Sequence, residues 1–161
     1  MPALLNHIDP NGLEEFSVVF TDRSLNHMSK EFQKVMCDLS SNLKEVYNAN
    51  AVVLVPGGGT FAMEAVARQF GNDASVLVIR NGWFSYRWSQ IFESSASARE
   101  TTVVKARMVG NESISPFMPA DVSDVVEKIK TDKPTIVFAP HVETSAGVIL
   151  PDEYIKKISA A

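Results

Sequence analysis

The sequence has one cysteine among its 161 residues, Cys37. A single thiol cannot close a disulfide within the chain, so nothing asks for an oxidising compartment. Cys37 falls inside a helical pattern and reads as buried packing rather than as a nucleophile. Basic clusters are missing too. The net charge is −4, and no run of Lys or Arg forms the stripe that nucleic-acid binding needs. This acidity is too mild to argue for any other partner. No apolar run approaches the ~20 residues of a membrane span. Residues 1–10 hold neither the basic segment nor the apolar core of a signal peptide, so the expected location is the cytoplasm. The three histidines, His7, His27 and His141, lie far apart, and no metal-ligand cluster is expected.

What is present is ordinary globular material. Apolar residues make up 45% and charged residues 21%, enough to bury a core, and the length suits one domain. Residues 1–22 have weak periodicity and read as an irregular arm. Phe32, Val35, Met36, Leu39, Leu43, Val46 and Tyr47 recur at helical spacing, which predicts a long amphipathic helix over residues 29–47 with Ser29 as a possible cap. Its apolar stripe is expected to pack in the core. Residues 51–55 form a short continuous apolar run, as in a strand buried on both faces. Helix follows over 60–70, strand over 75–79, helix over 83–92 and strand over 101–106. A loop is expected over 110–119. Asp121 is a good N-cap for a helix carrying Val122, Val125, Val126 and Ile129. A strand over 135–139 and a helix from Asp152, with Pro151 at its start, complete the pattern. This alternation predicts an α/β fold of three layers, a mainly parallel sheet with helices on both faces. The last helix opens only a few residues before Ala161, so the alternation is cut in mid-pattern and the chain reads as a fragment.

Ligands in such sheets sit beyond the carboxyl ends of the strands. Three loops leave those ends. The first is Gly57-Gly58-Gly59-Thr60. Glycines let the backbone approach a ligand closely, and the helix that follows offers unpaired N–H groups and the positive end of its dipole. On spacing alone it is equally a tight turn without a ligand. It is not a P-loop, because no Lys-Ser/Thr pair follows. Gly57, Gly59 and Ala62 match the dinucleotide pattern in part, which leaves NAD binding open. However, the acid wanted about twenty residues on is missing. The second loop, from Asn81-Gly82 through Trp88, carries four aromatics that could stack on a flat heterocycle. Trp88 is expected to pack on the sheet instead. The third loop, His141 to Gly147, carries an imidazole, an acid and two hydroxyls. Polar groups on such a loop are more often functional than those in core elements.

Together, in this order and spacing, the loops resemble the class V aminotransferase family, in particular its alanine–glyoxylate and serine–glyoxylate members. The pieces are Gly57-Gly58-Gly59-Thr60 before Ala62-Met63-Glu64-Ala65, Asn81-Gly82 with Phe84 and Arg87, and His141-x-Glu143-Thr144-Ser145-x-Gly147. The segment Asn26-His27-Met28-Ser29-Lys30-Glu31-Phe32 also matches the opening of the family's first long helix. The resemblance implies the type I fold of pyridoxal 5'-phosphate (PLP) enzymes and a homodimer. It implies an arm over residues 1–25 and a partial PLP-binding large domain over 26–161. It implies that Gly58, Gly59 and Thr60 hold the cofactor phosphate, largely through backbone N–H groups. Phe84 would stack on the pyridine ring, with Trp83 as a second candidate. Thr144 would contact the ring-oxygen side, and Glu143 and His141 would shape their loop. Gly58 stands where relatives commonly have serine, so the resemblance implies one hydroxyl contact to the phosphate fewer.

No catalytic residue is assigned within this chain. The Schiff-base lysine and the acid on the pyridinium nitrogen are expected beyond Ala161, and Lys105, Lys128, Lys130 and Lys133 read as solvated charges. The implied activity is transfer of an amino group between a small amino acid and a 2-oxo acid, with this chain alone inactive. Alternatives are a PLP-dependent lyase or desulfurase of the same fold, or a non-catalytic phosphate- or nucleotide-binding module.

Overall fold

A computed structural model of the chain describes His27 and residues 29–161. The arm expected over residues 1–22, with Asn26 and Met28 of the helix-opening segment, lies outside the described residues. The chain divides into two compact units, residues 1–55 and 56–161.

In the first unit, helix α1 runs Lys30–Tyr47. Ser29 caps it as expected: its hydroxyl accepts the Phe32 N–H at 3.0 Å, satisfying one of the donors a helix start leaves unpaired. Asn48, in the left-handed conformation that asparagine tolerates, closes the other end. Three expectations fail in this unit. None of the α1 residues is buried, and Val46 and Tyr47 are each 74% exposed, so the apolar stripe is not core packing among the described residues. Cys37 is exposed as well. Its helical neighbours one turn either way are Gln33 and Ser41, which places it on the polar face. Residues 51–55 are extended in their alternation of exposed and half-buried positions, but they join no ladder. A strand buried on both faces needs neighbours for its N–H and C=O groups. None is paired to this segment among the described residues.

The second unit carries the sheet. Helix α2 (Gly59–Gly71) leads to strand β1 (Ser75–Arg80), helix α3 (Trp83–Ser95) and strand β2 (Glu100–Lys105). A short antiparallel hairpin joins β3 (Arg107–Met108), just before the expected loop, to β4 (Phe117–Met118), inside it. Helix α4 (Val122–Asp132), strand β5 (Ile136–Phe138), a second hairpin of β6 (Val142–Glu143) and β7 (Val148–Ile149), and helix α5 (Asp152–Ser159) follow. The main sheet has the order β2-β1-β5, all parallel.

Strand β1 is central and covered on both faces, which its unbroken Val76-Leu77-Val78-Ile79 run requires. Side chains alternate across a strand. Val76 and Val78 pack with Ala67 of α2, Ile91 and Phe92 of α3 and Phe138 of β5. Leu77 and Ile79 pack on the other face with Val125 and Ile129 of α4, Leu150 and Tyr154. Each of these fully buried aliphatics contributes ~1.5–3 kcal/mol of transfer free energy. The result is the expected α/β arrangement, a parallel sheet flanked by helices on both sides. One cap differs in detail. Asp121 occupies the N-cap position of α4 without a side-chain cap bond. Arg107 takes its carboxylate instead, at 2.7 Å.

This topology fixes where a site can form. From β1 the chain steps to β2 on one side, then crosses to β5 on the other. The crevice at the carboxyl ends of β1 and β5 is therefore the switch point, where ligands of open parallel sheets bind.

Candidate functional site

Two of the three predicted loops meet at that crevice, and Glu143 joins them. The loop after β5 folds into the tight β6–β7 hairpin, closed by a 2.9 Å bond from the Leu150 N–H to the His141 carbonyl. Gly147 sits at φ +64, the left-handed turn position that suits glycine. This hairpin turns the Glu143 side chain inward, where it has no solvent exposure. Its carboxylate accepts the Ser85 N–H at 2.7 Å and the Phe84 N–H at 3.1 Å. It also accepts the Ser85 and Ser145 hydroxyls, each at 2.5 Å.

The two hydroxyls have further duties. Ser145 Oγ accepts the Trp83 N–H at 2.8 Å. Ser85 Oγ accepts the Asn81 and Gly82 N–H groups at 2.8 and 2.9 Å. Between them, one carboxylate and two serines satisfy every backbone N–H from Asn81 to Ser85. A negative group is also favoured at the positive end of the α3 dipole.

Two opposing effects act on the Glu143 carboxyl. Burial favours its neutral form. The hydrogen bonds from Ser145, from the Ser85 hydroxyl and from the Ser85 and Phe84 N–H groups favour the charged form, and together they win. The carboxyl is held below the usual carboxylate range. Gly82 makes the contact possible. Its φ of 174 is extended backbone open to any residue. However, a Cβ there would lie 2.7 Å from both Glu143 Cγ and Ser145 Oγ. Glycine is required by close approach, not by conformation.

The predicted cofactor residues stand around this clamp. Phe84 is 53% exposed, although its N–H is tied to Glu143. Trp83 is 57% exposed. Trp88 packs on Phe138 with ring centroids 4.5 Å apart, as expected of a core ring. Tyr86 lies under the Arg80 guanidinium. Thr144 and His141 are exposed on the hairpin.

The glycine turn opens α2. Gly57 has φ +128, a conformation that favours glycine, and a Cβ there would collide with the Phe61 ring. Gly58 is the N-cap at φ −71, which every residue can adopt, and α2 has no side-chain cap. Among the described residues, a Cβ on Gly58 or Gly59 would meet nothing within 4 Å. Neither glycine is demanded by the fold, and both leave open space in front of an uncapped helix start. That space and those N–H groups fit a phosphate. Among the described residues no hydrogen bond ties this turn to the other two loops.

Sequence reasoning missed Ser85 and the depth at which Glu143 is held. A signal was present. A helix starting Gly82-x-x-Ser85 places a serine where it can reach back to the N–H group of the N-cap residue. The matching acid lies 58 residues further on and could not be paired with it by local pattern.

No family model matches the chain. Over 132 residues it is 28% identical to an alanine–glyoxylate aminotransferase of Rattus norvegicus, a match covering 80% of this chain and 30% of that protein. Its fold is similar to that of a ureidoglycine–glyoxylate aminotransferase from Bacillus subtilis, with a TM-score of 0.63 and 24% identity. That likeness covers 80% of this chain and 32% of the other. The chain is thus similar in sequence to one aminotransferase and in fold to another, which supports the resemblance to the class V aminotransferase family carried by the three loops. The chain spans under a third of the length of either, so the shared fold is part of a larger domain.

Proposed function

We propose that this chain forms the phosphate- and ring-binding part of a PLP-dependent class V aminotransferase. The reaction is transfer of an amino group between a small amino acid and a 2-oxo acid, in a cytoplasmic homodimer. Residues 26–161 would be its share of the large domain and residues 1–25 an arm. The observation that carries the reading is the pair Gly58 and Gly59. Neither backbone conformation nor packing explains glycine at these positions, whereas close approach of a phosphate to α2 does.

PLP, when bound, supplies an electron sink for chemistry at the amino-acid substrate. The residues of this chain bind and orient. The N–H groups of Gly58, Gly59 and Thr60 receive the phosphate, with the Thr60 hydroxyl as a further donor. Phe84 offers a half-exposed ring face for stacking. Thr144 offers a hydroxyl from the hairpin. Glu143 holds the Phe84 backbone through its N–H, and Thr144 follows Glu143 in the chain, so Glu143 would bring both residues to the cofactor's side of the crevice. None of the lysines here is assigned to hold the cofactor covalently, and the chain by itself is proposed to be inactive.

Titration with PLP tests the cradle. Amide resonances of Gly58 to Thr60 should shift and saturate, and inorganic phosphate should compete. If these resonances stay still in both titrations, the cradle reading loses its support.

A further inference from the structure

The carboxyl ends of β1 and β2 set two cations face to face. Arg80 and Lys105 are register partners in the parallel ladder. Like charges directly opposite on neighbouring strands cost stability. Neither forms an ion pair among the described residues. Arg80 instead lies 4.9 Å over the ring of Tyr86.

Both cations line one cleft of ≈ 430 Å³, and among the described residues no acidic one lines it. Trp83 and Phe117 form its aromatic walls, 57% and 53% exposed. Asn81 belongs to it as well and is only 3% exposed. Neither the nitrogen nor the oxygen of its side-chain amide has a hydrogen-bond partner among the described residues. Buried polar groups are normally paired, and an unpaired one is costly. Three unfavourable features thus coincide: opposed cations, an orphaned amide and exposed rings. They do so beyond the carboxyl ends of the strands, where ligands of such sheets sit.

We propose that this cleft binds a small organic anion, a carboxylate or phosphate head attracted by Arg80 and Lys105, with a flat apolar body against Trp83 and Phe117. Guanidinium groups pair with either oxyanion in a fork geometry, and lysine adds a point charge. The rings cover an apolar body that water would otherwise surround. An anion between the cations turns a repulsion into two attractions. Gly58, Gly59, Thr60, Phe84 and Thr144 do not line this cleft. The proposal therefore does not rest on the phosphate cradle.

Benzoate and phenyl phosphate, titrated separately into the 161-residue chain and followed by amide resonances, test it. At least one should shift Asn81, Gly82, Lys105 and Ala106 together, and the tighter binder identifies the head group. Lys105→Gln should weaken that binding roughly tenfold, the loss of one charge-assisted hydrogen bond. The same exposed substitution should raise the thermal midpoint of the ligand-free protein, because the opposition to Arg80 is gone. The proposal is overturned if neither probe moves these resonances, if shifts are confined to Gly58 to Thr60, or if Lys105→Gln binds as tightly as the parent.

Discussion

Replacing Glu143 by glutamine keeps the volume of the side chain and removes its charge. The carboxylate accepts two backbone N–H groups and two hydroxyls. A carboxamide has one acceptor oxygen and a nitrogen that only donates. The Ser145 hydroxyl, which accepts only the Trp83 N–H, can rotate to accept from that nitrogen, whereas Ser85 Oγ already accepts two N–H groups. A backbone N–H cannot turn, so either Phe84 or Ser85 is left facing a donor. One stranded N–H at a buried site costs ~1–3 kcal/mol. Losing a negative group at the start of α3 adds ~0.3–1 kcal/mol. Relief of desolvation offsets part of this, leaving a net loss of ~2 kcal/mol. That is a large share of the ~5–15 kcal/mol that holds a domain folded. With a urea slope of ~1.5 kcal/mol/M, the midpoint should fall by ~1.3 M. Both tryptophans lie in α3, so fluorescence reports the affected unit directly.

The pH dependence provides the sharper check. The Glu143 carboxyl titrates below its ordinary value of 4.5 in the folded protein. A lowered folded value means that the stabilisation is fully present above the unfolded value and lost as pH falls through the folded one. The gap between parent and Glu143→Gln should be full at neutral pH and shrink on acidification below 4.5. A midpoint shift under ~0.3 M at neutral pH, or a gap that persists undiminished in acid, refutes the reasoning.

Three further outcomes are expected. Gly59→Ala should leave thermal stability unchanged or raise it by up to ~1 kcal/mol, since less unfolded-state entropy is lost, whereas Gly58→Ala, at the N-cap where alanine is disfavoured, should lower it by under ~1 kcal/mol. Both should nevertheless weaken PLP binding in the titration; a folded variant that binds as well as the parent removes the argument for the cradle. Gly82→Ala should lower stability by ~1–3 kcal/mol, because its Cβ overlaps Glu143 and Ser145. An unchanged melting curve would show that the clamp yields freely. Ser145→Ala should cost ~0.5–1.5 kcal/mol in urea unfolding, since the Glu143 carboxylate loses one donor and the Trp83 N–H its side-chain acceptor. The loss should be smaller than that of Glu143→Ala, which removes the acceptor of four bonds.

Local pattern made much of this fold legible. The apolar run of β1, the Ser29 cap and the glycine-rich start of α2 are each written within a few residues. Misreadings arose where the deciding interaction is distant. Residues 51–55 have the composition of a buried strand, but pairing depends on neighbours that composition does not contain. The α1 stripe has the right period, yet period does not say what covers a helix. Asp121 has the residue type of a cap, and Arg107 claimed its carboxylate. The site divides in the same way. The three loops were visible as motifs, whereas Glu143 became the organising group only once β5 and β1 lay side by side.

The clamp also makes the loops after β1 and β5 a single inherited part. Gly82 must lack a side chain because Glu143 fills the space, and Glu143 can remain charged because Ser85 and Ser145 face it. A change at one of these four positions has to be answered at another, although 58 residues separate Ser85 from Glu143. Grafting either loop alone into another scaffold would carry half of a bargain. A designer moving this site should transplant both loops or neither.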